Sequence, residues 1–241
     1  MNRIMFKKHY LMIAMTGVLL LASVGLISAQ DDDGASPLYE GPIFGDEVEA
    51  KGDVMILLGQ VVDINGNPVE GALVEIWQTD AAGIYDHSGD GDTADRDMNF
   101  QFYGSFLTDA EGAYVFRTVI PRLYEPRPRH IHFKVKLDDT ELLTSQFYFT
   151  IDTPNINDDI LLDAVEQLLP DESTVLVAEK DIVVALPAVQ STDTSLSLTT
   201  AQQEGPYYPE TMIANFDNDL GVVSPQESTT TDTESIFQFV W

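Results

Sequence analysis

His130 and His132 stand two residues apart in the stretch 124–135, YEPRPRHIHFKV. In a β-strand, residues i and i+2 project to one face, so the two imidazoles can converge on one point, as metal ligands must. The chain has no cysteine, so further donors to a cation would be oxygens. A carboxylate would suit ferrous iron, whereas phenolates, harder and more anionic, would suit ferric iron. Two tyrosines qualify: Tyr124, six residues before His130, and Tyr85 in the loop segment AGIYD. A His-x-His pair alone is a weak signal, since many such pairs are ordinary strand residues. Around it lie Arg122, Arg127, Arg129, Lys134 and Lys136 in an otherwise acidic chain, so something anionic or electron-rich is handled here. The two lysines read as salt-bridge partners on a solvated face.

The elements that must position these side chains are strands. Apolar and alternating runs predict strands at 54–62, 72–77, 102–107, 113–119, 130–137 and 142–150. Turn chemistry falls at 64–68, at 108–112 and at Asp138 and Asp139. Residues 160–169 carry helical spacing and stop at Pro170, which predicts one short helix. Residues 175–177 and 182–186 read as a closing hairpin. The fold class is therefore all-β, a β-sandwich of mostly antiparallel strands with long functional loops and one short helix. The longest loop, 80–99, is rich in Asp and Gly and contains Tyr85; loops of that length are functional or disordered.

Residues 1–29 have the layout of a secretory signal peptide: a basic start, an apolar run and a small-residue cleavage site before Gln30. The competing reading is an uncleaved membrane anchor. Residues 30–52 follow as a polar N-terminal arm, 53–187 as the sandwich domain, and 188–241 as a Ser/Thr-rich linker and tail. The expected location is secreted, periplasmic or otherwise extracytoplasmic, with no membrane contact after cleavage. The 241 residues carry 12 basic against 40 acidic side chains, a net charge of −28. Such a surface repels nucleic acid and anionic lipid, which excludes both as partners.

Several segments together resemble the intradiol ring-cleavage dioxygenases, the family of catechol and protocatechuate 3,4-dioxygenases. They are GQVVD with GNPV (59–69), GALVEIWQ (71–78), GIY (83–85), FLTD with Gly112, FRT (116–118) and RPRHIHF (127–133). The resemblance covers roughly residues 40–155, and its arginine-proline-x-His-Ile-His run is specific to the family. It implies that Tyr85, Tyr124, His130 and His132 bind Fe(3+), with Tyr124 and His132 axial, Tyr85 and His130 equatorial, and Tyr124 leaving when substrate arrives. Arg127 matches the family's charge-stabilising arginine and Gln146 its glutamine near the iron. The implied reaction cleaves a catechol-type aromatic diol between its hydroxyl-bearing carbons with O2, giving a cis,cis-muconate-type product. Family members commonly form homo-oligomers. The Tyr124–His130 spacing is shorter than in the protocatechuate enzymes, which implies a compact loop. A substrate carboxylate would find Arg129 or Arg122. His87 gains no role and is expected at the surface, and Trp77 and Phe133 are expected in the core.

A reading of another class competes. The GxVxD…GNPVxGAxV…TDxxGxYxF pattern also resembles transthyretin-like or carboxypeptidase-regulatory β-sandwich modules, secreted binding units without a metal. That reading leaves Tyr124, Arg127 and the histidine pair unexplained. In the tail, EGPYYP (204–209) with DNDL (217–220) looks like the segment that usually precedes the catalytic domain in the dioxygenases, while YEGPIF (39–44) occupies the upstream place. The tail is expected to pack over this sandwich or a neighbouring subunit.

Overall fold

The computed structural model describes residues 44–45, 47–91, 93–153, 156–187, 189–190, 195–209 and 217–223. The expected signal peptide at 1–29, the YEGPI segment and the 224–235 tract lie outside the described residues. Among the described residues no helix is long and apolar enough to cross a membrane.

Among the described residues ten strands run in the order β1 (Val54–Asp63), β2 (Ala72–Trp77), β3 (Tyr103–Leu107), β4 (Ala113–Val119), β5 (His130–Leu137), β6 (Thr140–Phe149), β7 (Leu161–Leu162), β8 (Val165–Leu168), β9 (Thr174–Glu179) and β10 (Ile182–Val184). They form two five-stranded sheets. In one, β1 pairs antiparallel with β4 and parallel with β9 and β10, and β8 extends the sheet beyond β9. The other has the order β3-β2-β5-β6-β7, antiparallel except for the parallel pairing of β6 with β7. This is an all-β sandwich.

Alternation decides which side chains meet between the sheets. Val74 and Ile76 of β2, Ile131, Phe133 and Val135 of β5, and Phe147 and Phe149 of β6 face Met55, Leu57, Tyr114 and Phe116 from β1 and β4. Phe133 and Phe147 stack with ring centroids 4.1 Å apart. Fully burying each such side chain stabilises by roughly 1.5–3 kcal/mol. The same alternation sends Glu75, Trp77, His130, His132, Lys134, Lys136, Gln146 and Tyr148 to the opposite face of their sheet.

Two local expectations are corrected. Residues 160–169 are not a helix: a single 3-10 turn at Asp158–Ile160 leads into β7 and β8. The apolar positions there satisfy helical spacing, but β6 and β9 offer open edges, and pairing with them satisfies the backbone instead. The segments at 175–177 and 182–186 are not a hairpin either. β9 and β10 pair in succession along one edge of β1, separated by a bend at Lys180 whose carbonyl fills the space above Gly59. A Cβ at Gly59 would lie 2.0 Å from that oxygen, so only glycine lets the bend sit there.

Residues 217–221 are part of this framework. Ser105 N–H donates to the Asp217 carbonyl, Arg117 N–H to that of Asn218, and Leu220 N–H to that of Arg117, so the segment lies between β3 and β4. Leu220 is fully buried in the core, and Asp219 forms an ion pair with the buried Arg117.

Candidate active site

His130 and His132 project from β5 with their Nε2 atoms each 3.1 Å from the hydroxyl of Tyr85. Their presentation is built locally. The Nδ1–H of His130 donates to the Pro128 carbonyl at 2.7 Å, which leaves the Nε2 lone pair toward the site. The ring of His132 stacks on Trp77 at 4.9 Å, and its Nδ1 is buried without a hydrogen-bond partner. Burial lowers the pKa of His130 to about 4 despite the opposing Pro128 contact. Burial, then the neighbouring His130 and Arg127, lowers that of His132 to about 2. Both imidazoles are therefore neutral, the form that ligates metal.

Tyr85 reaches the pair from the 80–99 loop because that loop is tied down by its own acids. Asp80 accepts backbone N–H bonds from Ala82, Ile84 and Asp97, and Asp90 accepts the N–H of Tyr85 at 2.9 Å. Burial pushes the Tyr85 phenol well above its usual range, with Arg127 opposing. Tyr124 comes from a tight turn in which Arg127 N–H donates to its carbonyl at 2.7 Å. Its ring lies edge-on to Tyr85 with centroids 5.3 Å apart.

Arg127 hydrogen-bonds Gln146 and Tyr148, both uncharged, and among the described residues it forms no ion pair. Arg129, by contrast, pairs with Asp152 at 2.6 Å, so a carboxylate already engages it, and Arg122 is exposed. The structure thus brings together Tyr85, Tyr124, Arg127, His130, His132 and Gln146. The oxygen donors beside the imidazoles are phenols; no group of three or more His, Cys, Asp or Glu suited to a cation occurs among the described residues.

Four side chains sit differently from expectation. His87 is half-buried rather than at the surface, its ring 5.3 Å from that of Tyr207. Trp77 is buried against the site instead of in the sandwich core, whereas Phe133 is in the core. Lys134 and Lys136 are not a solvated face: Lys134 pairs with Glu204 at 2.5 Å and Lys136 with the buried Glu75 at 2.7 Å.

Those contacts belong to a wall that sequence reasoning left without a role. Thr199 bonds Val183 of β10, residues 200–203 run beside β6, where Gln202 N–H donates to the Thr144 carbonyl, and 204–208 cross the outer face of β5 and β2. Tyr207 places its hydroxyl 2.7 Å from that of Tyr124 and its ring 4.6 Å from Tyr85. Tyr208 lies edge-on to Trp77, beneath the Lys134 ammonium, and hydrogen-bonds Glu75 at 3.0 Å. Gly205, at φ +80°, lies on the His132 ring, where a Cβ would meet Cε1 at 3.0 Å. Strand alternation would have exposed Tyr148, two residues after Gln146, and both lysines, two and four after His132. Nothing local marks Glu75, and the EGPYYP motif points to the tail packing on this sandwich, as it does, without showing that it lines the site.

The family model described as Dioxygenase matches residues 33–186. The protocatechuate 3,4-dioxygenase beta chain of Burkholderia cepacia is 42% identical over 109 residues, covering 42% of this chain and 46% of that one. Catechol 1,2-dioxygenase 1 of Acinetobacter lwoffii is 33% identical over 134 residues, covering 48% and 42%. The mercury-inhibited catechol 1,2-dioxygenase structure from Acinetobacter sp. ADP1 superposes with a TM-score of 0.48 at 26% identity, over 60% of this chain and 58% of that one. The chain belongs to the intradiol ring-cleavage dioxygenase family. It spans under half the length of the two curated relatives, and residues 187–241 lie beyond the matched region.

Proposed function

We propose that the protein is a ferric dioxygenase that cleaves a catechol between its two hydroxyl-bearing carbons, acting outside the cytoplasm. The observation that carries this reading is the meeting of two neutral imidazole Nε2 atoms at one phenol oxygen, with a second tyrosine and an arginine beside it. The donor set fits Fe(III). His130 and His132 offer bare nitrogens, and the phenols of Tyr85 and Tyr124 offer hard anionic oxygens once deprotonated. Burial holds the Tyr85 proton on by itself, so a strongly polarising cation must draw it off. Bound there, ferric iron would supply Lewis acidity and a template that orients the diol.

The chain's own groups supply the rest. Tyr124 stands on a short turn, not on a strand, and once deprotonated could accept a substrate proton at its phenolate oxygen, to which the Tyr207 hydroxyl is placed to donate a hydrogen bond. Among the described residues Arg127 presents a guanidinium held by dipoles alone, so its charge is available to negative charge growing on the substrate. Trp77, Tyr85, Tyr207 and Tyr208 surround the site with rings that exclude water and match a flat aromatic diol. Two atoms of O2 added across one ring bond give an open-chain dicarboxylate, the muconate type. A metal-free binding module would share the sandwich but leaves the imidazole–phenol cluster without a purpose.

Purified protein reconstituted with Fe(III) should show the wine-red tyrosinate colour and consume oxygen with at least one member of a catechol panel. Protein that stays colourless and iron-free after reconstitution would sink the reading.

A further inference from the structure

Arg127 is placed by the side-chain amide of Gln146, and Gln146 is in turn placed by the tail. Its Oε1 accepts from the Arg127 guanidinium and from the Tyr148 hydroxyl at 2.9 Å, while its Nε2 donates to the Gln203 carbonyl at 2.5 Å. A guanidinium only donates and a carbonyl only accepts, so one orientation of the amide satisfies both partners. Turned over, it would set N–H against N–H at Arg127 and oxygen against oxygen at Gln203. Tyr148 closes the triangle, accepting from Arg127 at 3.0 Å and donating to Gln146.

The Gln203 carbonyl is held from both sides. Upstream, Gln202 N–H donates to the Thr144 carbonyl at 3.0 Å and Ser145 Oγ donates to that of Thr200 at 2.6 Å. Downstream, Glu204 binds Lys134, Gly205 lies on His132, and Tyr208 is clasped by Trp77, Glu75 and Lys134. We propose that residues 199–208 are a positioning element of the catalytic site, setting Arg127 through the side-chain amide of Gln146. The inference rests on the dioxygenase reading for what Arg127 does. A carboxylate could hold the arginine as firmly, but it would neutralise the charge; a carbonyl relayed through an amide holds it and leaves the charge intact.

The test uses the iron-loaded full chain with Glu204→Lys, Lys134→Glu and the double exchange. Glu204→Gln, on the more exposed partner, serves if the buried Lys134→Glu does not fold. Two quantities are read: steady-state oxygen uptake with catechol, and backbone deuterium exchange of the 199–209 peptide by mass spectrometry. Each single variant should speed exchange of that peptide and lower kcat on the order of 10- to 100-fold, since misplacement by about 1 Å can cost that much. KM should move far less, and the charge exchange should recover both readouts in part, as a general loss of structure would not: it restores the 134–204 ion pair but not the contacts of Lys134 with Glu141 and the Tyr208 ring. A single variant with rapid exchange but normal kcat overturns the inference alone, as does a double exchange that restores docking but not kcat. A wild-type enzyme silent with every catechol overturns the dioxygenase reading, and this inference with it.

Discussion

The hydroxyls of Tyr124 and Tyr207 lie 2.7 Å apart although 83 residues separate them in the chain. One belongs to the turn before β5, inside the segment matched by the family model, and the other lies beyond it. A hydrogen bond to a phenolate withdraws charge from it. Tyr207→Phe removes that bond while keeping the ring packed on Tyr85. In iron-loaded protein the tyrosinate absorption band should move to longer wavelength with iron content unchanged. An unmoved band would mean that Tyr207 does not reach the Tyr124 oxygen in the loaded protein.

Tyr85→Phe should act on the metal itself. The phenol oxygen is the point on which both Nε2 atoms converge, so its loss takes away a donor and leaves two imidazoles facing a ring edge. The variant should retain well under half the iron of the wild type after dialysis, measured by elemental analysis, whereas His87→Ala should retain nearly all of it. Equal iron in Tyr85→Phe and wild type would place the cation elsewhere.

Arg127→Met should leave iron content near that of the wild type and lower kcat by roughly 10²–10³, the usual scale for deleting a preorganised charge-stabilising donor. Oxygen uptake with catechol measures it. A change confined to KM would make Arg127 a binding group instead of a stabiliser of developing charge.

Much of this was legible in the sequence where contacts are local. β2, β4 and β5 fall at the residues expected, because alternation over six to eight positions has one strand solution, and the shared face of His130 and His132 follows from it. Segment 160–169 misled because Leu161, Leu162, Val165 and Leu168 satisfy a helical stripe as well as two short strands; the edges of β6 and β9 decided the matter. The tail was recognisable as a motif, but not as a wall. Its contacts with Trp77, Glu75 and Thr144 span many residues and leave no periodic trace.

The distal tail should matter for stability as well. Leu220 is fully buried among core side chains between β3 and β4. Leu220→Ala should lower unfolding free energy by about 2–5 kcal/mol, the range for emptying a buried leucine site. Leu196, 46% exposed, is the control, and Leu196→Ala should change it by about 0.5 kcal/mol or less. Urea denaturation followed by circular dichroism compares them. Equal midpoints for the two would mean that 217–221 detaches from the core in solution.

The latch around Glu75 should loosen in alkali. Glu75 is 1% exposed and meets Lys136 at 2.7 Å, the Tyr103 hydroxyl at 2.5 Å and the Tyr208 hydroxyl at 3.0 Å. Burial alone would lower the pKa of Lys136, but its contacts with Glu75 outweigh that and hold it above the ordinary 10.5. Burial and Glu75 likewise hold the Tyr208 phenol above 10.0. Both groups keep their protons longer folded than unfolded. The stability they contribute is therefore complete below about pH 10 and is lost as pH rises from the unfolded values through the raised ones. Beyond that, Lys136 is neutral and a Tyr208 anion faces the Glu75 carboxylate. Lys136→Met strips Glu75 of its counter-charge, so the variant should be less stable than wild type at neutral pH. In urea titrations the gap between the two should stay constant from about pH 7 to 9.5 and narrow above about pH 10.5, as the wild type loses the same charge. A gap that persists unchanged to about pH 11.5 would show that the Lys136–Glu75 pair does not hold the latch.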